Sequence, residues 1–140
     1  MMGRLLLSVV AVLLAWPVQA QNYPNRPIRF IVPFPPGGGT DTVARLIAQP
    51  LAERLRQQVV IDNRGGANAI IGTDLGAKAP ADGYTRVFCL PASVSVNPTL
   101  YRNLPYDPAR DFAPVIRLNT IALLMTVTNS LPAKNVAELV

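Results

Sequence analysis

The sequence predicts an α/β fold with a parallel sheet, because short apolar runs alternate with stretches of helical periodicity. The runs cover residues 28–32, 59–61 and 85–90, and a loop of glycine, proline or small polar residues follows each one. Between the runs, hydrophobic residues recur at the spacing of amphipathic helices. Strands that alternate with helices pair in parallel through right-handed crossovers, so a single parallel sheet is expected.

The first run is predicted to be a buried strand that leads into a glycine-rich loop. Prolines at 33, 35 and 36 end the strand because each lacks a main-chain donor, and glycines at 37–39 follow. Thr40 or Asp41 is predicted to cap the next helix. Free N–H groups and the positive end of a helix dipole attract anions, so the stretch is a candidate carboxylate site. A loop that only turns the chain is the alternative.

Two more loops follow the second and third predicted strands. Residues 62–66 form a polar loop with two glycines, and a helix is predicted to begin between Ala69 and Gly72. Ser93 lies beyond the third strand. The carboxyl ends of parallel strands share one edge of the sheet, where ligands bind in open α/β folds. The three loops are therefore expected to converge on one anion site.

The remainder of the chain gives weaker signals. Pro50 predicts a kink or a break in the first helix. Residues 112–118 and 121–127 are predicted to be two further strands, and residues 135–140 the first turns of a helix. That helix has neither a cap nor a complete apolar face, so a chain that is cut short is expected.

Residues 1–20 are predicted to be a secretory signal peptide. Arg4 precedes an apolar run of residues 5–15, and small residues at 18 and 20 fit a cleavage site before Gln21. An uncleaved membrane anchor is the alternative. The run is shorter than a comfortable membrane span, which favours cleavage and export.

The composition argues against several classes of protein. The net charge is +5, but the arginines are scattered, so no nucleic-acid surface is expected. The chain has no histidine, which leaves the serines without the usual general base and removes the commonest metal ligand. Its one cysteine, Cys89, is predicted to be a small core residue. We therefore expect no enzyme activity, no cofactor and no metal.

Several motifs occur in a characteristic order: Ile31-Val-Pro-Phe-Pro-Pro-Gly-Gly-Gly-Thr-Asp41, Asn63-Arg-Gly-Gly-Ala67, Ile71-Gly-Thr73, Asn97-Pro98 and Leu104-Pro-Tyr-Asp-Pro108. With these motifs the chain resembles the substrate-binding proteins of tripartite tricarboxylate transporters, also called Bug receptors. The resemblance covers essentially all of the chain from Tyr23 to Val140. It departs from the family at Gly65, which replaces a proline, and at Asn68 and Ala69, which replace glycines.

The resemblance implies a periplasmic binding protein-like fold of type II, with two lobes that close around a small carboxylate. Residues 21–127 would form an incomplete, parallel-sheet first lobe, and residues 128–140 the crossover and the start of a missing second lobe. The partners it implies are the carboxylate and a membrane permease of the tripartite tricarboxylate type. The first alternative to a working receptor is a truncated, non-functional product. A ligand-sensing partner of a signalling system is the second, and an enzyme acting on anions is the third.

The family's binding residues can be carried over by position. In the family, main-chain groups of the two glycine-rich loops hold the carboxylate, partly through waters, and Ser93 in the loop after the third strand is a further, weaker candidate. The positions are Phe34, Pro36, Gly38, Gly39, Thr40, Asp41, Ala67, Asn68, Ile71, Gly72 and Ser93.

Overall fold

The computed structural model describes residues 23–122, 124–132 and 135–139. The predicted signal peptide, residues 1–20, lies outside the described residues. Within the described part of the chain, no helix combines the length and the apolar character that crossing a membrane requires. A parallel sheet flanked by helices forms the centre of the molecule, which confirms the predicted α/β fold.

The sheet has three parallel strands in the order β2-β1-β3. The central strand, β1, spans Ile28–Val32, while β2 spans Val59–Asn63 and β3 spans Thr85–Val87. Four of the five side chains of β1 are buried. This burial on both faces follows from the nearly continuous apolar run in its sequence.

Two helices form the crossovers: α1 (Gly39–Leu55) joins β1 to β2, and α2 (Ile70–Ala77) joins β2 to β3. The chain moves to one side of β1 and then to the other, so right-handed crossovers place these helices on opposite faces of the sheet. α1 is continuous through Pro50, and the predicted break into two pieces is wrong. Pro50 deprives only the Leu46 carbonyl of a donor, and Leu46 is 69 % exposed, so water can bond to that carbonyl.

The hydrophobic core lies between the sheet and α1. Phe30 and Val32 of β1 cluster with Ala44 of α1 and with Phe88, which follows β3. The rings of Phe30 and Phe88 are stacked, with centroids 6.0 Å apart. Phe34, two residues after the end of β1, packs against this cluster and attaches the start of the following loop to the core.

After β3 the chain forms a π-helical segment (Ala92–Val96) and then α3 (Asn97–Leu100). β3 ends at Val87 rather than at Leu90 as predicted. Because the strand ends early, Cys89 is exposed, and its predicted place in the core is wrong.

The described residues between 112 and 127 do not form the two predicted strands. Their apolar side chains are largely exposed: Val115 is 73 % exposed, Ile116 75 % and Leu124 88 %. A strand needs a neighbour for its main-chain hydrogen bonds, and the described residues place none beside this segment. Further on, α4 (Val136–Leu139) lies where the sequence predicted the start of a helix.

The segment before β1 is bonded to the turn before β3. The Tyr23 hydroxyl donates to the Gly83 carbonyl at 2.7 Å, and Arg26 Nη2 lies 2.6 Å from Asp82 Oδ2. The Arg26 guanidinium also lies 4.2 Å from the centroid of the Tyr84 ring. These contacts are at the amino ends of the strands, so they brace the sheet at the edge opposite the predicted site.

Candidate ligand-binding site

Three connections leave the carboxyl ends of the strands and lie at one edge of the sheet. We call residues 33–38 the first loop and residues 64–69 the second loop; they lead into α1 and α2 respectively. The third connection, residues 88–96, leads from β3 to α3. The predicted binding residues lie in these connections or in the first turns of the helices that follow them.

The start of α1 presents unpaired main-chain donors. The helix begins at Gly39 with Gly38 as an extended N-cap (φ −79°, ψ 170°), so the predicted cap at Thr40 or Asp41 is wrong. The glycines let the helix begin earlier, and the Thr42 N–H closes the first turn on the Gly38 carbonyl at 3.0 Å. Within the described chain, the N–H groups of Gly39, Thr40 and Asp41 have no partner. They form a donor-rich, positive helix end.

The Asp41 side chain holds the first loop in place. Its buried carboxylate accepts hydrogen bonds from Arg45 Nε at 2.9 Å, from the Gly37 N–H at 2.9 Å and from Asn63 Nδ2 at 3.0 Å. These bonds, that of Arg45 first, hold the pKa of the carboxyl far below its usual range. The carboxylate is therefore ionised and directed to the protein, which leaves the main-chain N–H of Asp41 for a ligand.

Asn63, the last residue of β2, links the two loops. Its Nδ2 donates to the Phe34 carbonyl in the first loop at 3.1 Å, in addition to its bond to Asp41. Its Oδ1 accepts from Arg45 Nη2 at 3.3 Å. One amide therefore joins the first loop, α1 and the strand from which the second loop begins.

Close glycine contacts bring the loops against each other. An added Cβ on Gly65 would lie 2.9 Å from Pro35 Cδ. On Gly72, in the first turn of α2, it would lie 2.6 Å from the Arg64 carbonyl oxygen and 2.8 Å from Pro33 Cα. Glycine is required at Gly72 because the neighbouring atoms are main-chain atoms that cannot rotate away. The two loops predicted to bind a ligand are thus adjacent.

The second loop contains a run of left-handed backbone. The φ angles of Gly66, Ala67, Asn68 and Ala69 are 127°, 47°, 51° and 70°. A left-handed conformation costs a non-glycine residue about 1–2 kcal/mol. Three consecutive non-glycine residues of this kind persist only when surrounding contacts hold them. The second loop therefore depends on support from elsewhere in the fold.

Buried side chains provide that support. Asn97 Oδ1 accepts from Asn68 Nδ2 at 2.8 Å, and Asn97 Nδ2 donates to the Asn68 carbonyl at 2.9 Å. The Thr73 hydroxyl donates to the Ala69 carbonyl at 2.7 Å and lies 2.9 Å from Ser93 Oγ. Asn97, Thr73 and Ser93 are fully buried. We call these three residues, with Asn68, the anchor cluster.

The anchor cluster includes two of the predicted binding residues, Asn68 and Ser93. Ser93, predicted to contact the ligand, has its hydroxyl against Thr73, and its carbonyl accepts from the Tyr106 hydroxyl at 2.8 Å. Thr73, Asn97 and Tyr106 were not predicted as site residues. Each lies in one of the ordered motifs, which signalled the family but not the contact each residue makes.

A cleft of about 300 Å³ opens beside the start of α1. Gly39 and Thr40 form one side of it, and hydrophobic side chains form much of the rest; the lining residues are Gly39, Thr40, Val43, Phe88, Leu90, Asn119 and Ile121. Main-chain donors at one end of an apolar wall suit a molecule with an anionic group and a hydrocarbon body. Among the described residues, no group of three or more histidines, cysteines or carboxylates could hold a metal ion.

The described sheet and helices have the fold of periplasmic binding proteins such as BugD, which is 41% identical to this chain with a TM-score of 0.59 over 66% of this chain and 30% of that one. Other solved structures are similar as well. One is the Rpa4515 protein of R. palustris with adipate, which is 46% identical to this chain with a TM-score of 0.71. The match covers 84% of this chain and 39% of that one. Another is MatC of Rhodopseudomonas palustris with bound malate, at 38% identity and a TM-score of 0.64, covering 66% of this chain and 32% of that one.

Residues 43–140 match the model of the tripartite tricarboxylate transporter family receptor, and the chain belongs to this family. The relative BugT of Bordetella pertussis is 44% identical over 130 residues. That match covers 89% of this chain and 40% of BugT, so the chain spans about two-fifths of the length of this relative. The resemblance read from the ordered motifs is confirmed, and the family is one of receptors rather than enzymes.

Proposed function

We propose that this chain forms part of a periplasmic receptor that binds a small dicarboxylate through main-chain N–H groups. The observation that carries the proposal is the row of unpaired donors at the start of α1, which lines a cleft with an apolar wall. A helix start of this kind binds a carboxylate without any basic side chain. The adipate and malate in the two similar structures support the choice of a dicarboxylate.

In this proposal the carboxylate accepts from the N–H groups of Gly39, Thr40 and Asp41. The first loop contributes through Phe34, Pro36 and Gly38, and the hydrocarbon body lies against Val43, Leu90 and Ile121. The second loop completes the site through Ala67, Asn68, Ile71 and Gly72. Because the donors are main-chain groups of α1, and the Asp41 carboxylate fixes the first loop that precedes them, the site geometry is formed before the ligand arrives.

The proposed partner is a membrane permease of the tripartite tricarboxylate type, and the proposed location is the periplasm. The receptor would close on its ligand by a hinge between two lobes, of which residues 21–127 belong to the first, and then deliver it. Membership of the transporter receptor family supports this role.

One pair of variants tests the donors directly. Gly39→Pro removes the N–H at the first helical position, where proline is well tolerated, and Gly38 already has the extended backbone that a following proline requires. Gly39→Ala keeps the N–H, and its Cβ would meet nothing within 4 Å. We expect Gly39→Pro to bind adipate about tenfold more weakly and Gly39→Ala about as tightly as the unchanged chain, by isothermal titration calorimetry.

The charge requirement has its own control. Hexane-1,6-diol has the chain length of adipate without its charges, so it should neither bind nor raise the melting temperature. Equal adipate binding by Gly39→Pro and Gly39→Ala would contradict the proposed role of the donor. Binding of the diol as tight as that of adipate would contradict a carboxylate site.

A further inference from the structure

Asn97 makes contacts that the proposed binding mode does not use. It lies at the start of α3, twenty-nine residues beyond Asn68, and its side chain is fully buried. Both polar atoms of its amide bond to Asn68, one to the side chain and one to the main chain. These two hydrogen bonds connect the start of α3 to the middle of the left-handed run.

We infer that Asn97 is a positioning residue, which fixes the second loop in its left-handed conformation so that the loop can complete the carboxylate site, without contacting the ligand. The inference rests on the proposed function. Asn97 does not line the cleft, and its amide oxygen and nitrogen are already bonded to the protein. A contribution to affinity therefore has to pass through Asn68.

The need for positioning follows from the backbone. Asn68 is flanked by Ala67 and Ala69, which are also left-handed, so the loop relaxes toward ordinary angles once its anchors are removed. Thr73 holds only the end of the run, at the Ala69 carbonyl. Among the members of the anchor cluster, Asn97 alone bonds to Asn68, which lies between Ala67 and Ala69 in the left-handed run.

The test compares Asn97→Ala with the double variant Asn68→Gly/Asn97→Ala. Removing the amide of Asn97 leaves Asn68 without its partner and frees the strained loop. Glycine at position 68 adopts the left-handed angle without strain, and removal of both side chains leaves no side-chain amide unsatisfied. The main-chain carbonyl of residue 68 loses its donor equally in Asn97→Ala and in the double variant. We expect Asn97→Ala to weaken adipate binding about tenfold, and the double variant to bind adipate about threefold more tightly than Asn97→Ala.

A second measurement needs no ligand. The Ile70 N–H donates to the Ala67 carbonyl at 3.1 Å across the second loop, so its hydrogen exchange reports on the loop conformation. Exchange at Ile70 should be faster in Asn97→Ala and return toward the original rate in the double variant. The Thr42 N–H, bonded to Gly38 at the start of α1, should exchange at an unchanged rate. Asn103→Ala, at an exposed asparagine in the same region, is the matched control and should alter neither readout.

The outcomes separate the positioning role from its alternatives. Weaker binding without rescue by Asn68→Gly would mean that Asn97 acts on the ligand or on the whole fold, and would overturn the inference. Unchanged Ile70 exchange in Asn97→Ala would overturn it as well. If the unchanged chain binds no dicarboxylate, the proposed function fails, and Ile70 exchange still decides whether Asn97 holds the loop. Asn97→Ser, whose shorter side chain has a hydroxyl in place of the amide and cannot reach Asn68 in the same way, replaces Asn97→Ala if that variant does not fold.

Discussion

Asp41 shows how one buried carboxylate can stabilise a glycine-rich loop. Its three donors come from the first loop, from α1 and from the end of β2. Because they favour the charged form, the pKa of Asp41 is lower in the folded chain than in the unfolded chain. A group with a lowered folded pKa stabilises the fold above its unfolded pKa and loses that contribution as the pH falls.

Asp41→Asn is expected to destabilise the chain at pH 7. The NH₂ group of the new amide would face the N–H groups that now donate to the carboxylate, and it cannot accept from them. The unfolded pKa of an aspartate is about 3.9, so the difference from the unchanged chain should shrink as the pH falls from about 4 toward 2. Urea unfolding at several pH values measures this difference. Glu53→Gln, which neutralises an exposed charge on α1, is the control and should leave the free energy of unfolding at pH 7 nearly unchanged. An Asp41→Asn effect that stays constant down to pH 2 would contradict the linkage.

Among the elements, α2 is placed by its glycines. An added Cβ on Gly76 would lie 2.1 Å from Val87 Cγ2 on β3. On Gly72 the nearest atoms belong to the main chain of Arg64 and Pro33. The first clash can be relieved by a side chain that moves, whereas the second requires the loops to separate.

Gly72→Ala is therefore expected to lower the free energy of unfolding by about 3 kcal/mol, and Gly76→Ala by about 1 kcal/mol after the helix-propensity gain of alanine. Urea unfolding checks both values. Val87→Ala should relieve the Gly76→Ala clash in a double-mutant cycle and leave the cost of Gly72→Ala unchanged. Equal costs for the two glycine variants would mean that the loops adjust as easily as a valine side chain.

The elements near the first loop were predictable because their signals are local. The apolar run of β1, the prolines that end it and the glycines before α1 are consecutive in sequence. The Asn63–Asp41 and Asn97–Asn68 contacts join residues 22 and 29 positions apart, and no local pattern specifies such partners. The two strands predicted between 112 and 127 were wrong for a related reason, because apolar residues give a strand only where another strand lies beside them.

At the scale of the molecule, burial is uneven. Ile31 on β1 is fully buried, whereas Leu124 is 88 % exposed. The sheet with α1 and α2 therefore provides most of the stability, and the described residues beyond 112 add little.

Leu124→Ser is expected to change the free energy of unfolding by less than about 0.5 kcal/mol, because the side chain is already in water. Ile31→Ala should cost about 2–5 kcal/mol, since it opens a cavity in the centre of the sheet. Chemical denaturation of both variants gives the comparison. A loss for Leu124→Ser as large as that for Ile31→Ala would mean that the segment after 112 packs in solution.

The strand order has one more effect on the cleft. With β1 between β2 and β3, successive crossovers run in opposite directions, and the connections that leave β1 and β3 diverge at this topological switch point. The cleft lies there, between Gly39 after β1 and Leu90 after β3. The order of the strands thus creates the opening, and the main chain supplies its hydrogen-bond donors. Substitution of the apolar side chains along the wall would therefore change which carbon skeleton fits, while the donors for the carboxylate stay in place.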